Sequence, residues 1–220
     1  MPFSPPSLLL LLFLLGLLIA FFQLGILTIA FEKLGLSPNS ALTLLFTSVI
    51  GSAINLPLYR TRSERPLPEQ IPLAFRGLLR QSQPPFTGMT VVAINVGGAL
   101  VPLFFSFYLF QNSDIDLFTT LSATLVMTVL CYGVSRPIPG LGIAMPIFIA
   151  PIAAALISVI IDPAHSAPLA YISGTLGVLI GADLLRLNQI KKIGAPMASI
   201  GGAGTFDGIF ITGIVAVLLA

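Results

Sequence analysis

The sequence lacks tryptophan, has one cysteine and has few charged residues. Because Cys131 is the single cysteine, an internal disulfide is excluded, and its apolar neighbours favour an inert packing residue. Charged residues make up 8% of the 220 positions, whereas an average soluble domain has roughly 25%. A chain with so little charge cannot cover its surface with polar groups in water. The composition therefore predicts one integral membrane domain over residues 1–220.

Sequence motifs for several kinds of chemistry are also missing. The chain has no Walker A loop, nucleophile elbow or HExxH motif, and no Cys or His residues spaced as metal ligands. We therefore expect no metal and no cofactor. The basic residues lie in loops beside apolar segments, which gives no reason to expect a nucleic-acid partner. The expected partners are the lipid bilayer and a small solute or ion, and the sequence leaves the oligomeric state open.

Apolar segments of membrane-spanning length fill most of the chain. A transmembrane helix needs roughly 20 apolar residues, and the segments that reach or approach this length are 7–31, 40–58, 88–110, 117–135, 141–161, 168–187 and 198–220. The first is longer than the core of a signal peptide and has no basic residue before it, so we expect it to be retained. These runs predict an all-α, polytopic fold with about seven transmembrane helices.

Basic residues are distributed unevenly among the connections between these segments. With seven spans, the loop 59–87, the joint at Arg136 and the joint from Arg186 to Lys192 share one side of the membrane. Together they carry all but one of the 10 Lys and Arg residues, Lys33 being the exception. By the positive-inside rule this side is cytoplasmic, with the amino terminus in the cytoplasm and the carboxyl terminus outside. The predicted location is the plasma or inner membrane of a prokaryote.

The loop 59–87 is basic and rich in proline. Five arginines lie in it, and its prolines exclude a long helix. Residues 73–81 place apolar side chains beside two of the arginines, which suits a short interfacial helix on anionic lipid. A docking site for a soluble partner is the alternative.

Two carboxylates lie within apolar segments near the end of the chain. Asp183 is near the end of the sixth predicted span, and Asp207 follows the glycine-rich run 199–204 in the seventh. An ionisable group inside a bilayer is costly unless it is paired or hydrated, so each is a candidate functional residue. If the last helix begins after the glycines, Thr205 is its N-cap and Asp207 lies in its first turn, where the dipole favours a carboxylate. Broken helices of this kind are typical of ion and substrate sites in transporters.

Two asparagines repeat this pattern in the first half of the chain. Asn55 ends the second predicted span, and Asn95 precedes a Gly-Gly pair as Ser199 does. The similarity suggests a parallel internal repeat, in which spans one to three match spans five to seven. It would bring Asn55, Asn95, Asp183 and Asp207 together in the cytoplasmic half of the membrane. The helix-breaking glycines are expected to be Gly97, Gly98, Gly201, Gly202 and Gly204.

Simpler interpretations exist for the same residues. Asp183 is one turn before Arg186, so its carboxylate could reach the interface and pair with that guanidinium or with a basic residue of a loop. Gly177 and Gly181, like Gly204 and Gly208, have GxxxG spacing, which favours close packing of helices rather than an unwound segment.

Four stretches of the chain resemble the DUF1614 family of bacterial and archaeal membrane proteins of unknown function. They are Asn95-Val-Gly-Gly-Ala-Leu-Val-Pro102, Pro139-Gly-Leu-Gly-Ile143, Gly181-Ala-Asp-Leu-Leu185 and Ser199-Ile-Gly-Gly-Ala-Gly-Thr-Phe-Asp-Gly208. The last is the most distinctive, and the likeness covers nearly the whole chain beyond the first span. This resemblance implies an integral membrane protein and carries no activity with it.

A weaker likeness is to the GxGD intramembrane aspartyl proteases. These also place one Asp on a sixth span and one after a Gly-x-Gly on a seventh, which here would be Asp183 and Asp207. Two carboxylates that share a proton could act as base and acid on a bound water. The local pattern differs, because Thr205 and Phe206 separate Gly204 from Asp207.

Three functions are therefore open. The leading one is a transporter or channel-like protein for a small solute or ion, with Asp183 and Asp207 as a cation or proton site and Asn55 and Asn95 as neutral ligands. An intramembrane aspartyl protease that uses the same two carboxylates is the enzymatic alternative. The third is a membrane scaffold or assembly protein, in which the carboxylates join helices.

Overall fold

The fold is known from a computed structural model that describes residues 25–63, 88–138, 142–190, 194, 196–202 and 208–220. These ranges are mostly helical and also contain two small sheets. The α-helices are α1 (Gly25–Lys33), α2 (Pro38–Ser52), α3 (Val101–Asn112), α4 (Leu117–Val134), α5 (Ile149–Ile161), α6 (Ser166–Val178) and α7 (Gly208–Leu219).

Helix α6 lies at the centre of the fold. It packs against α3, α4, α5 and α7, and residues of α6 belong to both hydrophobic clusters of the core. A π-helical segment (Leu179–Asp183) and a 3₁₀ helix (Leu184–Gln189) extend it. With the preceding 3₁₀ turn, the helical run Pro163–Gln189 has 27 residues, long enough to cross a membrane.

Small residues let α6 and α4 approach closely. A Cβ at Gly181 would lie 3.0 Å from Cβ of Cys131 and would collide with the carbonyl oxygen of Thr128, and a Cβ at Gly177 would collide with Met127. The GxxxG interpretation of Gly177 and Gly181 is therefore confirmed as a packing feature.

A three-stranded sheet joins the start and the end of the described chain. Strands β1 (Asn55–Arg62) and β2 (Met89–Asn95) pair antiparallel, and β2 pairs parallel with β5 (Met197–Ile200), so β2 is central. Asn55 pairs with Asn95, and Val91 pairs with Met197. A second, two-stranded sheet consists of β3 (Arg136–Ile138) and β4 (Gly142–Ala144).

These strands correct the prediction of an all-α fold. The segments 40–58 and 88–110 were expected to be helical throughout, yet α2 ends at Ser52 and residues 89–95 form β2. Short apolar runs rich in β-branched residues, such as Met89-Thr-Val-Val-Ala-Ile-Asn95, cannot be assigned to helix or strand by periodicity. Pro57 is tolerated in β1 because an edge strand has a free side for the residue that lacks an N–H.

The predicted number of membrane spans can be compared with the described residues alone. Among the described residues, the helices α4 and Pro163–Gln189 are long and apolar enough to cross a membrane, and α1 with α2 makes a third if this pair, bent by 110°, is one span. About seven transmembrane helices are not confirmed. The predicted fifth span begins as β4, the seventh begins as β5 and becomes α7 at Gly208, and most of 7–31 is outside the described residues.

Large apolar side chains cover the outer faces of the helices. The most exposed include Phe104 on α3, Phe118 and Leu125 on α4, and Ile160 on α5. A surface of this kind is poorly solvated in water and well solvated by acyl chains. The apolar helices therefore indicate membrane association.

The charged residues separate toward the two ends of the helices. At one end Lys33 donates to the carbonyl oxygens of Val217 and Leu218 near the end of α7, at 3.4 and 3.2 Å, and Ser166 donates to that of Ala220. The sheet, with Arg60 and Arg62 exposed on β1, lies at the other end. The assignment of one end of the helices to the cytoplasmic side stays a prediction.

Candidate functional site

The candidate site is organised around the buried side chain of Asn95, where β2 ends. Asn95 is 1% exposed and is the N-cap of a π-helical segment (Val96–Leu100) that leads into α3. Its Oδ1 accepts from the backbone N–H of Gly98 at 2.7 Å. Its Nδ2 donates to the carbonyl oxygen of Ser52 at 2.7 Å and to Oδ1 of Asn55 at 3.0 Å. One amide therefore joins the end of α2, β1 and the start of the helical segment before α3.

Asn55 extends this network to the last strand. Its Oδ1 also accepts a hydrogen bond from the hydroxyl of Ser199 on β5. Asn55 and Ser199 flank β2 from its two sides, since β1 and β5 are the two neighbours of β2. The predicted proximity of Asn55 and Asn95 is thus observed, although their role as ion ligands is a separate question.

The two Gly-Gly motifs meet directly. A Cβ at Gly98 would collide with the carbonyl oxygen of Gly201, and a Cβ at Gly201 would lie 2.6 Å from Cβ of Ala99. Gly201 has φ +80°, a backbone conformation that glycine adopts without strain. On the other face, Gly97 packs against α2, where a Cβ at Gly51 would be 3.0 Å from the backbone nitrogen of Gly97. The backbones at Gly98 and Gly201, like those at Gly97 and Gly51, lie too close together for a side chain at these positions.

Asp183 reaches the same region from the end of the α6 extension. Its Oδ2 accepts from the backbone N–H of Gly201 at 2.8 Å, and the residue is half-buried. Asp183 is the last residue of a π-helical segment, and the Gly98 side of the contact is also π-helical. π-helical segments are rare in proteins as a whole, and those that occur are often found at functional sites. The structure therefore brings Asn55, Asn95, Gly98, Gly201 and Asp183 into one connected cluster.

Arg186 is positioned by α4. Its guanidinium donates to the hydroxyl and the carbonyl oxygen of Ser135, at 3.2 and 2.8 Å, to the carbonyl oxygen of Tyr132, and to Gln189 at 3.1 Å. It also lies 4.2 Å from the centroid of the Tyr132 ring. Arg186, one of the predicted partners of Asp183, therefore caps the end of α4.

Several predicted residues lie outside the described part of the chain. These are Asp207, Thr205 and Gly204, so the Asp183–Asp207 pair and the N-cap role of Thr205 stay predictions. Gly202 is described and has φ +88°, in keeping with a break before α7. The break at Gly97 and Gly98 is π-helical rather than unwound. The internal repeat also stays a prediction, although both Gly-Gly motifs follow parallel strands.

Three contributors were not predicted: Ser199, Ser52 through its carbonyl oxygen, and Arg186 as a cap. Ser199 could have been found, because it occupies the place of Asn95 in the second motif. The roles of Ser52 and Arg186 depend on tertiary contacts that no local pattern contains.

One further polar pair lies at the opposite end of the helices. Oδ1 of Asp162 accepts from the backbone N–H of His165, and its Oδ2 is 2.9 Å from Nδ1 of that ring. Desolvation acts to raise the pKa of Asp162, but the hydrogen bonds and charge of His165 outweigh it, so the pKa is lowered. This pair closes the turn between α5 and α6. Among the described residues, no group of three His, Cys, Asp or Glu side chains could hold a metal ion.

Comparison with known proteins identifies a family. The family model described as "Protein of unknown function (DUF1614)" matches residues 49–219, and the chain belongs to this family. No curated protein and no solved structure matches the chain.

Proposed function

We propose that this member of the DUF1614 family is an integral membrane protein that moves a small cation or a proton, with Asp183 as the exchanging group. The hydrogen bond of 2.8 Å from the backbone N–H of Gly201 to Asp183 Oδ2 carries this proposal. It places a carboxylate where the end of a π-helical segment meets the turn at Gly201.

The physical argument concerns the free-energy cost of placing a carboxylate inside a membrane. An acidic side chain in a membrane helix is expensive, and such residues typically face the interior and mark ion or proton pathways. Non-helical backbone at membrane depth is tolerated only where protein buries it or where it lines a cavity. Transporters combine both features, with carboxylates and broken helices near one another. Asp183, the π-helical segments and the positive-φ Gly201 show the same combination.

A ligand titration of thermal unfolding tests the proposal without a transport assay. The protein, reconstituted in lipid nanodiscs, would be titrated with Na⁺, K⁺, Mg²⁺, Ca²⁺ and protons, because a ligand that binds only the folded state raises its stability by mass action. The test variant is Asp183→Asn. The matched control is Asp114→Asn, the same change at an exposed acid of the loop between α3 and α4.

We expect one of these ligands to raise the melting temperature of the wild type and of Asp114→Asn but not of Asp183→Asn. At a concentration of 100 times Kd the gain is about 2.7 kcal/mol. An equal response in Asp183→Asn would contradict the proposal, and so would the absence of any response in the wild type.

The same hydrogen bond also supports a second candidate, a scaffold in which Asp183 fastens the Gly201 segment. Asparagine keeps a carbonyl oxygen that can accept from Gly201, whereas leucine does not. A purely structural role therefore predicts that Asp183→Asn is nearly as stable as the wild type, that Asp183→Leu is not, and that no ligand stabilises the protein.

Anionic lipid is a proposed partner of the loop 59–87. Of this loop, residues 59–63 are described, and Arg60 and Arg62 are exposed on β1 beside the exposed Leu58 and Tyr59. Arginines next to an apolar strand surface suit an interface with acidic headgroups. Binding to vesicles with and without phosphatidylglycerol, compared between wild type and Arg60→Gln/Arg62→Gln, tests this contact.

A further inference from the structure

A cleft lies between α3 and α4, and α6 forms its floor. Both of these helices pack on α6, and the link 113–116 joins them at one end. The cleft has a volume of about 210 Å³, and its lining includes Leu103 and Phe107 of α3, Leu117 of α4 and Ile172 of α6. It is therefore a wedge between two helices that meet at a shared third helix.

The walls of this cleft are apolar and its rim is exposed. Leu103, Phe107 and Leu117 are 39%, 60% and 56% exposed, so the cleft opens on the outer surface of the helices. One water molecule needs roughly 10–15 Å³, and apolar cavities stay dry and take up apolar molecules. Because the outer faces of these helices indicate membrane association, the apolar molecules at the mouth of the cleft are lipid chains. An acyl chain is therefore the occupant that fits.

One polar group is buried at this cleft without a partner. The side chain of Ser106, which also lines it, is 2% exposed, and its Oγ has no hydrogen-bond partner in the described part of the chain. A buried hydroxyl without a hydrogen bond is unfavourable, so such a group requires an explanation. Rotation about χ1 turns this hydroxyl between its staggered positions. An occupant that carries an oxygen acceptor as well as an apolar chain would satisfy it.

The depth of Ser106 indicates which part of a lipid meets it. Ser106 lies six residues before Asn112, the last residue of α3, which is roughly 9 Å along the helix axis. The headgroup region of one leaflet is roughly 5–8 Å deep. With the polar link 113–116 at the level of the headgroups, Ser106 lies at the level where ester groups join the acyl chains. The acceptor that fits is therefore an ester carbonyl oxygen.

The link at this end of the cleft is acidic. Asp114 and Asp116 are both exposed, and Asp116 directly precedes Leu117 of the cleft lining. No lysine or arginine occurs in the sequence from 101 to 120. An anionic headgroup would be repelled here, whereas an ammonium group is attracted and can donate charge-assisted hydrogen bonds to the carboxylates. The charges therefore favour a lipid whose headgroup carries an ammonium group.

We propose that the cleft binds one acyl chain of a phospholipid with an ammonium headgroup, the chemistry of phosphatidylethanolamine. Ser106 donates to the ester carbonyl, and Asp114 and Asp116 accept from the ammonium group. This site goes beyond the proposed function and does not depend on it. It lies at the opposite end of the helices from Arg60 and Arg62 on the sheet, so the two ends of the protein favour headgroups of different charge.

Native mass spectrometry of the full chain, released from detergent with defined lipids, tests the headgroup. Phosphatidylethanolamine, phosphatidylcholine, which has no N–H donor, and anionic phosphatidylglycerol would be offered with identical acyl chains. We expect phosphatidylethanolamine to be retained about threefold over either competitor, the scale of exposed charge pairs. Asp114→Asn/Asp116→Asn should lose this preference and keep the fold, because asparagine is also a good N-cap for α4. The control Glu32→Gln, an exposed acid at the same end of the helices, should keep the preference.

Two substitutions at Ser106 test the cleft itself. Ser106→Ala removes the donor and keeps the space, so retention of the ester lipid should fall about fivefold. Retention of an ether-linked phosphatidylethanolamine, which has no ester carbonyl, should be the same in Ser106→Ala and in the wild type. Ser106→Leu fills the cleft and should reduce retention of both lipids. The control is Ser122→Leu on α4, a half-buried position outside the cleft lining.

Three results would overturn the proposal. The first is equal retention of the three headgroups by the wild type. The second is retention that neither Ser106 variant changes, which would place the lipid elsewhere or show that protein fills the cleft. The third is a dimer in the wild-type spectrum that Ser106→Leu abolishes, which would assign the cleft to a second copy of the chain.

Discussion

Helices α4 and α6 are both long and apolar, but they occupy different environments. In the most apolar 18-residue window of each helical run, 33% of the residues of α4 are buried, against 67% in the run that contains α6. α4 turns a stripe of large side chains outward, including Phe118, Leu121, Leu125 and Val129. α6 has protein on every side and carries glycines at its contacts.

This difference shows how an apolar protein arranges itself without water around it. Acyl chains are as apolar as leucine, so burying a leucine gains little there, whereas close packing and hydrogen bonding do gain. Many large side chains therefore lie on the outer faces, and small residues such as Gly174 and Gly177 lie at the contacts of α6. The central helix α6 continues through its π-helical extension to Asp183, so the candidate site lies at the end of the most buried helical run.

The largest effect is expected when glycines of the two helical runs are replaced by alanine. The double variant Gly177→Ala/Gly181→Ala should lose about 5 kcal/mol of unfolding free energy, because each added methyl meets atoms of α4 and overpacking costs about 1–3 kcal/mol at each site or more. Gly133→Ala on α4 is the control, since no atom lies within 4 Å of its Cβ position. Thermal unfolding in nanodiscs measures both, and equal stability of the two variants would contradict the comparison.

The second test concerns the sheet end of the structure. Asn95→Leu should cost about 4 kcal/mol, because it leaves the N–H of Gly98, the carbonyl of Ser52 and the oxygen of Asn55 without this partner, and each unpaired buried group costs about 1–3 kcal/mol. Asn112→Leu, at the exposed end of α3, should cost less than about 1 kcal/mol. A small effect of Asn95→Leu would show that the amide network does not hold this end.

The third test concerns the link between α4 and the extension of α6. Arg186→Lys should cost about 1–2 kcal/mol, since an ammonium group cannot reproduce the planar fork that binds the carbonyls of Tyr132 and Ser135. The same change at the exposed Arg136 should be neutral. Chemical unfolding at constant lipid composition compares the two, and an unchanged midpoint for Arg186→Lys would argue against the cap.

The smallest effect is expected on the outer face of α4. Leu125→Ala should change stability by less than about 0.5 kcal/mol in a bilayer, because lipid replaces the lost contacts. Met127→Ala, two residues later and fully buried, should cost about 2–5 kcal/mol. If Leu125→Ala were as costly as Met127→Ala, the exposed face of α4 would have to be covered by protein.

Part of the fold follows from the sequence alone. The apolar runs 117–135 and 168–187 correspond closely to α4 and to the α6 run, since each is bounded by polar joints and is long enough for a helix to be the only economical structure. The run 88–110 has the length of one transmembrane helix, but it contains a strand followed by a helix. Val91, Val92 and Ile94 favour a strand, and nothing local shows that β1 and β5 are available to pair with it.

The candidate site, like the fold, could be predicted from the sequence only in part. Asn55, Asn95 and Asp183 stand out as polar residues in apolar surroundings, and the structure brings them into one cluster. Several of their bonding partners are backbone atoms, of Ser52, Gly98 and Gly201, and a backbone atom carries no sequence information of its own. Pattern alone therefore predicts which side chains meet, whereas the atoms that hold them together are visible only in the structure, and the role of these residues as ion ligands stays a prediction.

The parallel pairing of β2 with β5 constrains the order in which the protein is made. Met197 pairs with Val91, roughly a hundred residues earlier in the chain, so the ribosome must deliver α3, α4, α5 and α6 before this pairing can form. Until then β2 has an open edge, and long-range pairing of this kind is slow to form. The step that completes the sheet also brings Gly201 to Asp183, so a nascent chain that stops short of β5 has no assembled site.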